Sequence, residues 1–115
     1  MKDLLGREIS EKEIQDQIID SIKPFCHVYN TTTGVFKVGQ GKKTRWIKTF
    51  PKGTPDLIGF RKRDGKMFFI EVKNGKGRLS PEQKEFLAWA ENYPILVGVA
   101  RCVDDALRII EVVKS

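Results

Sequence analysis

Gly53-Thr54-Pro55-Asp56-Leu57-Ile58-Gly59-Phe60-Arg61 and Met67-Phe68-Phe69-Ile70-Glu71-Val72-Lys73 are two apolar runs joined through Arg63-Asp64-Gly65. The Asp-Gly turn between strand-like runs predicts an antiparallel hairpin. Side chains alternate faces along a strand, so Phe68, Ile70 and Val72 share one side and Glu71 and Lys73 the other, the latter two roughly 6.6 Å apart. The core is expected behind the charged pair. Asp56 opens the preceding strand and can reach the same side when the two strands pair. A carboxylate in an otherwise apolar strand is costly unless a cation compensates it. Two carboxylates can hold a hard divalent cation through oxygen. An ammonium beside them can orient or deprotonate a water, or offset charge on a phosphorane. Such a set suits phosphodiester hydrolysis.

Outward from the hairpin the chain reads as successive elements, without linker, repeat or low-complexity segment. Ser10 followed by Glu13 predicts a capping box opening a helix whose apolar face is Ile14, Ile18, Ile19 and Ile22, with Pro24 as its stop. A short strand is expected over Cys26–Tyr29. Gly34, Gly39 and Gly41 punctuate the next stretch, where Val35-Phe36 and Trp46-Ile47 suggest a small hairpin. Ser80-Pro81 starts a second helix, with Phe86, Leu87 and Ala90 on its apolar side. Tyr93-Pro94 breaks it, Ile95–Ala100 suits a buried strand, and a last helix is expected over Asp104–Val113. The order α-β-(β-hairpin)-β-β-α-β-α predicts an α/β fold with a mixed sheet flanked by helices, as one domain over residues 1–115.

The formal net charge is +6, and three or more of the acidic residues are assigned to a site, so the remaining surface is more basic still. Lys37, Lys42, Lys43, Arg45, Lys48 and Lys52 precede the first motif; Arg61, Lys62, Arg63 and Lys66 surround the hairpin turn; Lys73, Lys76 and Arg78 follow the second. Charge gathered in this way is the footprint of a polyanion partner, with Lys42, Lys43, Arg45, Lys52, Lys76 and Arg78 as candidate nucleic-acid contacts. Trp46 could stack on a base or pack in a core. No apolar run approaches the roughly 20 residues of a membrane helix, and Met1–Arg7 lacks the apolar stretch of a signal peptide. Cys26 and Cys102 have no metal-type spacing and are read as free thiols in a reducing cytosol. The single histidine, His27, is read as a packed or capping residue rather than a ligand.

Pro55-Asp56 followed by Glu71-x-Lys73 resembles the core motif of the PD-(D/E)xK nucleases. The closer resemblance is to the VRR-NUC family within them. Glu11-x-x-Ile14-Gln15, the Asn30–Gly34 turn, Gly53-x-Pro55-Asp56, Ile70-Glu71-Val72-Lys73 and Gly77-Arg78-Leu79-Ser80-Pro81-Glu82-Gln83 occur in that family's order, from about Glu11 to Leu107. The resemblance implies a restriction-endonuclease-like core and an Mg²⁺- or Mn²⁺-dependent DNA endonuclease. It makes Asp56, Glu71 and the Val72 carbonyl metal ligands and Lys73 catalytic. It further implies a homodimer acting on four-way junctions.

The same resemblance brings Glu11 and Gln83 to the active site. Glu11 competes with Glu13, which helix capping explains fully; Glu11 instead matches the family pattern and shares a face with Gln15. Gln83 could equally be the reciprocal partner of Ser80 in a capping box. Two rival readings remain at this stage: a non-catalytic basic nucleic-acid-binding module, and a nuclease of this fold acting on flaps, single strands or RNA.

Overall fold

The structure, a computed structural model, describes residues 6, 8–33, 35–43, 45–48 and 50–112; residues 33, 35–38, 43 and 45–48 are described in their backbone only. The side chains of Lys37, Lys43, Arg45, Trp46 and Lys48 therefore lie outside the described part, as do Gly34 and Val113.

Helix α1 spans Glu11–Ile22, with the Ser10 hydroxyl accepting the Glu13 N–H at 3.2 Å. Its fully buried Ile14, Ile18 and Ile22 recur every four residues and make one stripe along the helix. Strand β1 (Cys26–Asn30) follows, then β2 (Val35–Val38) and β3 (Arg45–Lys48), which pair only with each other. The remaining elements are β4 (Leu57–Arg61), β5 (Met67–Val72), α2 (Pro81–Ala90), β6 (Leu96–Ala100) and α3 (Val103–Ile109). Strand order in the main sheet is β1-β4-β5-β6, antiparallel except for the β5/β6 pair. A parallel pair needs a crossover, and α2 supplies it. The fold is thus α/β, a four-stranded mixed sheet flanked by three helices, in the element order the sequence predicts.

The core lies on one face of the sheet. Phe68, Ile70 and Val72 of β5 meet the isoleucine stripe of α1 and Ala106, Leu107 and Ile110 around α3. On the other face Phe86 of α2 sits edge-on to Phe69, ring centroids 5.0 Å apart. Phe69, Glu71 and Lys73 alternate with the core residues, so α2 stands on the face that carries the charged pair.

Four expectations need correction. The antiparallel hairpin sends its turn to the opposite end of β4 from Asp56, so Arg61, Lys62, Arg63 and Lys66 do not surround the site. Arg61 is moreover buried: its guanidinium pairs with Asp64 and with Glu111 at 3.3 Å and donates to the Ile110 carbonyl at 3.2 Å, closing the end of α3. The apolar Ile95–Ala100 run forms an edge strand, half-buried except at Ala100, because periodicity cannot tell an edge from a centre. Helix α3 stops at Ile109 rather than Val113, with Glu111 taking a positive φ of 58° just beyond it. Strand β5 ends at Val72, although the Lys73 N–H still donates to the Ala100 carbonyl at 3.1 Å.

Candidate active site

Strand register brings the two motifs together. Leu57 faces Ile70 across the β4/β5 ladder. One residue further out, Asp56 therefore stands opposite Glu71, and directly opposed residues of antiparallel strands project from the same face. Two like charges so placed repel unless something positive lies between them. β5 is a central strand, and Glu71 is only 1% exposed. Its Oε1 accepts from Gln83 Nε2 at 3.1 Å and lies 3.8 Å from Lys73 Nζ. Its Oε2 is buried with no hydrogen-bond partner. Burial first, then the negative charge of Asp56 opposite, raise its pKa to about 8; Lys73 opposes the shift and Glu11 adds to it. A carboxylate held in this state is a site wanting a cation or a proton.

Asp56 is fixed from both sides. Its Oδ2 accepts the Val72 N–H at 2.8 Å, so the side chain substitutes for the next rung of the ladder. Its own backbone carbonyl accepts the Thr31 N–H at 2.8 Å. The buried Thr31 hydroxyl donates to the Pro55 carbonyl at 2.7 Å. Thr31, at the end of β1, thus clamps the Pro55–Asp56 peptide from 24 residues away. Thr31→Val removes that donor and leaves a buried carbonyl unsatisfied, at a cost of about 1–3 kcal/mol. The expected result is a melting temperature lower by roughly 4–8 °C per kcal/mol, with Thr31→Ser close to wild type in the same thermal melt.

Pro55 has a second consequence. Carrying the register on sets it opposite Val72, and a proline has no N–H to give to the carbonyl it faces. The donor set on offer at this end of the sheet is then the Asp56 carboxylate, the orphaned Glu71 Oε2 and the Val72 carbonyl. All are hard oxygens, which fits Mg²⁺ or Mn²⁺. Among the described residues no three His, Cys, Asp or Glu side chains group as metal ligands. A cation here would depend on backbone oxygen, water and substrate to fill its shell, as Mg²⁺ sites commonly do.

Gln83 serves both readings that the sequence leaves open. Its Oε1 accepts the Ser80 N–H at 2.8 Å and its N–H donates to Ser80 Oγ at 3.1 Å, a complete capping box at the start of α2. The other end of the same amide holds Glu71. Glu11 lies at the start of α1, where a Cβ on Gly77 would come within 2.6 Å of its Oε1 and 3.1 Å of Lys73 Cδ. Its carboxylate therefore stands at the Lys73 side of the site. Glu13 is exposed, and its N–H is the one taken by Ser10. Gln15 is half-buried one turn beyond Glu11.

The structure separates the candidate nucleic-acid contacts into groups. Lys76 and Arg78 are exposed on the loop that leaves Lys73. Arg101, which sequence reading passed over, donates to the Asn74 and Gly77 carbonyls and holds this loop in shape. Lys52 is exposed on the loop entering Asp56 and pairs with Glu82 at 3.3 Å. Lys42 is exposed in the β2–β3 connection. His27 is exposed and stacks obliquely on Phe60. Cys26 is a buried free thiol donating to the Ile22 carbonyl, its pKa pushed to about 11 by burial. Among the described residues no helix is long and apolar enough to cross a membrane.

The VRR-NUC domain family matches residues 9–104. No curated protein and no solved structure matches the chain.

Proposed function

The chain belongs to the VRR-NUC family, a family of nucleases, and from that premise we propose that it is a divalent-metal-dependent DNA endonuclease acting on branched DNA. The observation that carries this reading is the buried Glu71, opposite the half-buried Asp56 and with one oxygen unpartnered, beside the ammonium of Lys73. Asp56, Glu71 and the Val72 carbonyl would hold Mg²⁺ or Mn²⁺. When bound, such an ion polarises a phosphate oxygen and acidifies a water.

The chain's own residues do the rest. Lys73, nearly buried, orients the attacking water, exchanges a proton with it or offsets charge on the phosphorane. Gln83 fixes the Glu71 rotamer through an amide already locked by the helix cap. Glu11, whose carboxylate stands at the Lys73 side of the site, would refine it from outside the metal shell. The products of in-line attack are a 5′-phosphate and a 3′-hydroxyl. Lys76, Arg78, Lys52, Lys42, Lys43 and Arg45 take the flanking phosphates. Alanine at Lys76 or Arg78 is expected to lower the salt slope of DNA binding by about 1 each. Fluorescence anisotropy across a salt series on the Glu71→Gln background measures it without cleavage.

One site makes one cut, so paired cuts in a four-way junction call for a two-fold homodimer. The outer edge of β6 is unpaired among the described residues and could serve such an association. Competition between labelled junction, flap, linear duplex, single strand and RNA, in Mg²⁺ or Mn²⁺, tests the substrate. Preferred junction cleavage by a species that sediments as a dimer supports the reading. Preferred cleavage of flaps, single strands or RNA moves it to another nucleic acid, and binding without cleavage leaves a binding module.

A further inference from the structure

The proposed chemistry uses one face of the Asp56–Glu71 pair and the loop after Lys73. A cavity of about 350 Å³ adjoins that site, reaching Thr31 and Thr32 just after β1. Its lining includes Asp56 and Gln83 together with Thr32, Phe50, Lys52 and Thr54. We propose that this cavity receives a single nucleobase, unstacked from its strand, on the nucleotide next to the scissile phosphate. The inference rests on the nuclease reading above and names a substrate feature of the same site.

Four observations carry it. The volume lies in the range of small-ligand pockets, too small for a base pair with its stacked neighbours. Phe50 lines the cavity with 36% of its surface exposed. It forms the wall shared with the apolar groove over Phe69 and Phe86. A nucleobase offers a flat π-face to such a ring. The Thr32 hydroxyl donates to Asn30 Oδ1 and the Thr54 hydroxyl to the Pro51 carbonyl. Both oxygens keep lone pairs free to accept the N–H groups on the edge of a base. The exposed Lys52 also lines the cavity and pairs with the half-exposed Glu82 at 3.3 Å, so it can turn to a phosphate on the same nucleotide.

The loop also packs closely against the start of α2. Gly53 has φ +93°, and a Cβ there would press within 2.7 Å of the Glu82 carbonyl. The segment carrying Phe50 and Lys52 is thereby tied to the start of α2, which also carries Gln83. Phe50 and the catalytic carboxylate are carried on closely packed backbone, while the exposed Lys52 side chain can turn between Glu82 and a phosphate. A fully paired duplex would have to flip a base to fill the cavity, at a cost of a few kcal/mol, whereas an unpaired nucleotide at a branch costs least. Preference for branched over linear DNA follows from that difference.

The test is a cycle between protein and substrate. A single abasic nucleotide is moved stepwise through the positions flanking the cut, and kcat/KM is measured for wild type, Phe50→Ala and Phe50→Tyr. One position beside the scissile phosphate is expected to lower the wild-type value by about 10- to 100-fold, the scale of one base–aromatic stack. Phe50→Ala is expected to lose a similar factor on intact DNA and little more on the abasic substrate, while Phe50→Tyr stays near wild type. Losses that multiply, no sensitive position, or a Tyr variant as poor as Ala would overturn the subsite while leaving the nuclease reading in place. If wild type cleaves no nucleic acid in Mg²⁺ or Mn²⁺, the nuclease reading itself fails and the subsite with it.

Discussion

Glu71→Gln is expected to abolish cleavage and, in metal-free protein, to raise the melting temperature at pH 8 while changing it little at pH 5. The activity loss should be roughly 10³-fold or more, the scale for removing a group that stabilises transition-state charge. The stability gain has a separate origin. Glu71 is buried opposite Asp56, and its pKa rises from 4.5 to about 8 on folding. Between those values the folded chain binds a proton that the unfolded chain does not, so stability falls as pH rises through that window. Below the window both states are protonated and the penalty is absent; above it the penalty is complete. At about 1.4 kcal/mol per unit the full effect is about 5 kcal/mol, on the order of 20 °C for a domain of this size. Gln carries no charge to desolvate, keeps an oxygen for Gln83, and should melt at nearly the same temperature across the window. Thermal melts of both proteins at pH 5, 6, 7 and 8 in EDTA measure this. Parallel pH profiles for the two would mean that Glu71 is not desolvated as its position implies. Adding Mn²⁺ at pH 8 should raise the wild-type melting temperature and leave the variant unmoved.

Gly59→Ala is expected to be the most destabilising single methyl in the chain. A Cβ at this position would lie 2.1 Å from the His27 carbonyl oxygen and 2.6 Å from Phe68 Cζ. Neither neighbour can yield easily. His27 belongs to β1, whose ladder with β4 pairs Val28 with Gly59, and Phe68 is fully buried in the core. Overpacking of a tight core costs about 1–3 kcal/mol where side chains can shift, and here backbone must move as well. A loss of about 3 kcal/mol or more is a large share of the 5–15 kcal/mol that holds a domain together. Gly98→Ala is the control: its Cβ would meet the Ile109 side-chain tip at 2.9 Å, which can rotate away. Thermal melts should rank Gly59→Ala well below Gly98→Ala. Displacing β1 would also carry off Thr31, so site geometry and fold stability meet at this glycine.

Much of the molecule was legible because the signals are local. Period-two alternation and an Asp-Gly turn specify the hairpin, and Ser80-Pro81 with Gln83 specifies the start of α2. Other features depend on tertiary geometry. Reading charge along the chain placed Arg61 to Lys66 near the site, but a hairpin turn lies at the far end from the strand termini that carry Asp56 and Glu71. An apolar run such as Leu96–Ala100 looks the same at an edge as at a centre. Thr31 touches Pro55 across 24 residues, and nothing local marks it among three consecutive threonines. Gln83 seemed to require a choice between cap and site, yet a primary amide has two ends and each is used.

The most direct measurement is cleavage of a labelled four-way junction and its matched linear duplex by wild type and Asp56→Asn, in Mg²⁺, Mn²⁺ or EDTA. Cutting by wild type in either metal, abolished by EDTA and by Asp56→Asn with DNA binding retained, is the result expected if the Asp56–Glu71 pair works by holding a divalent cation. Cutting that persists in EDTA, or that survives intact in Asp56→Asn, would contradict it.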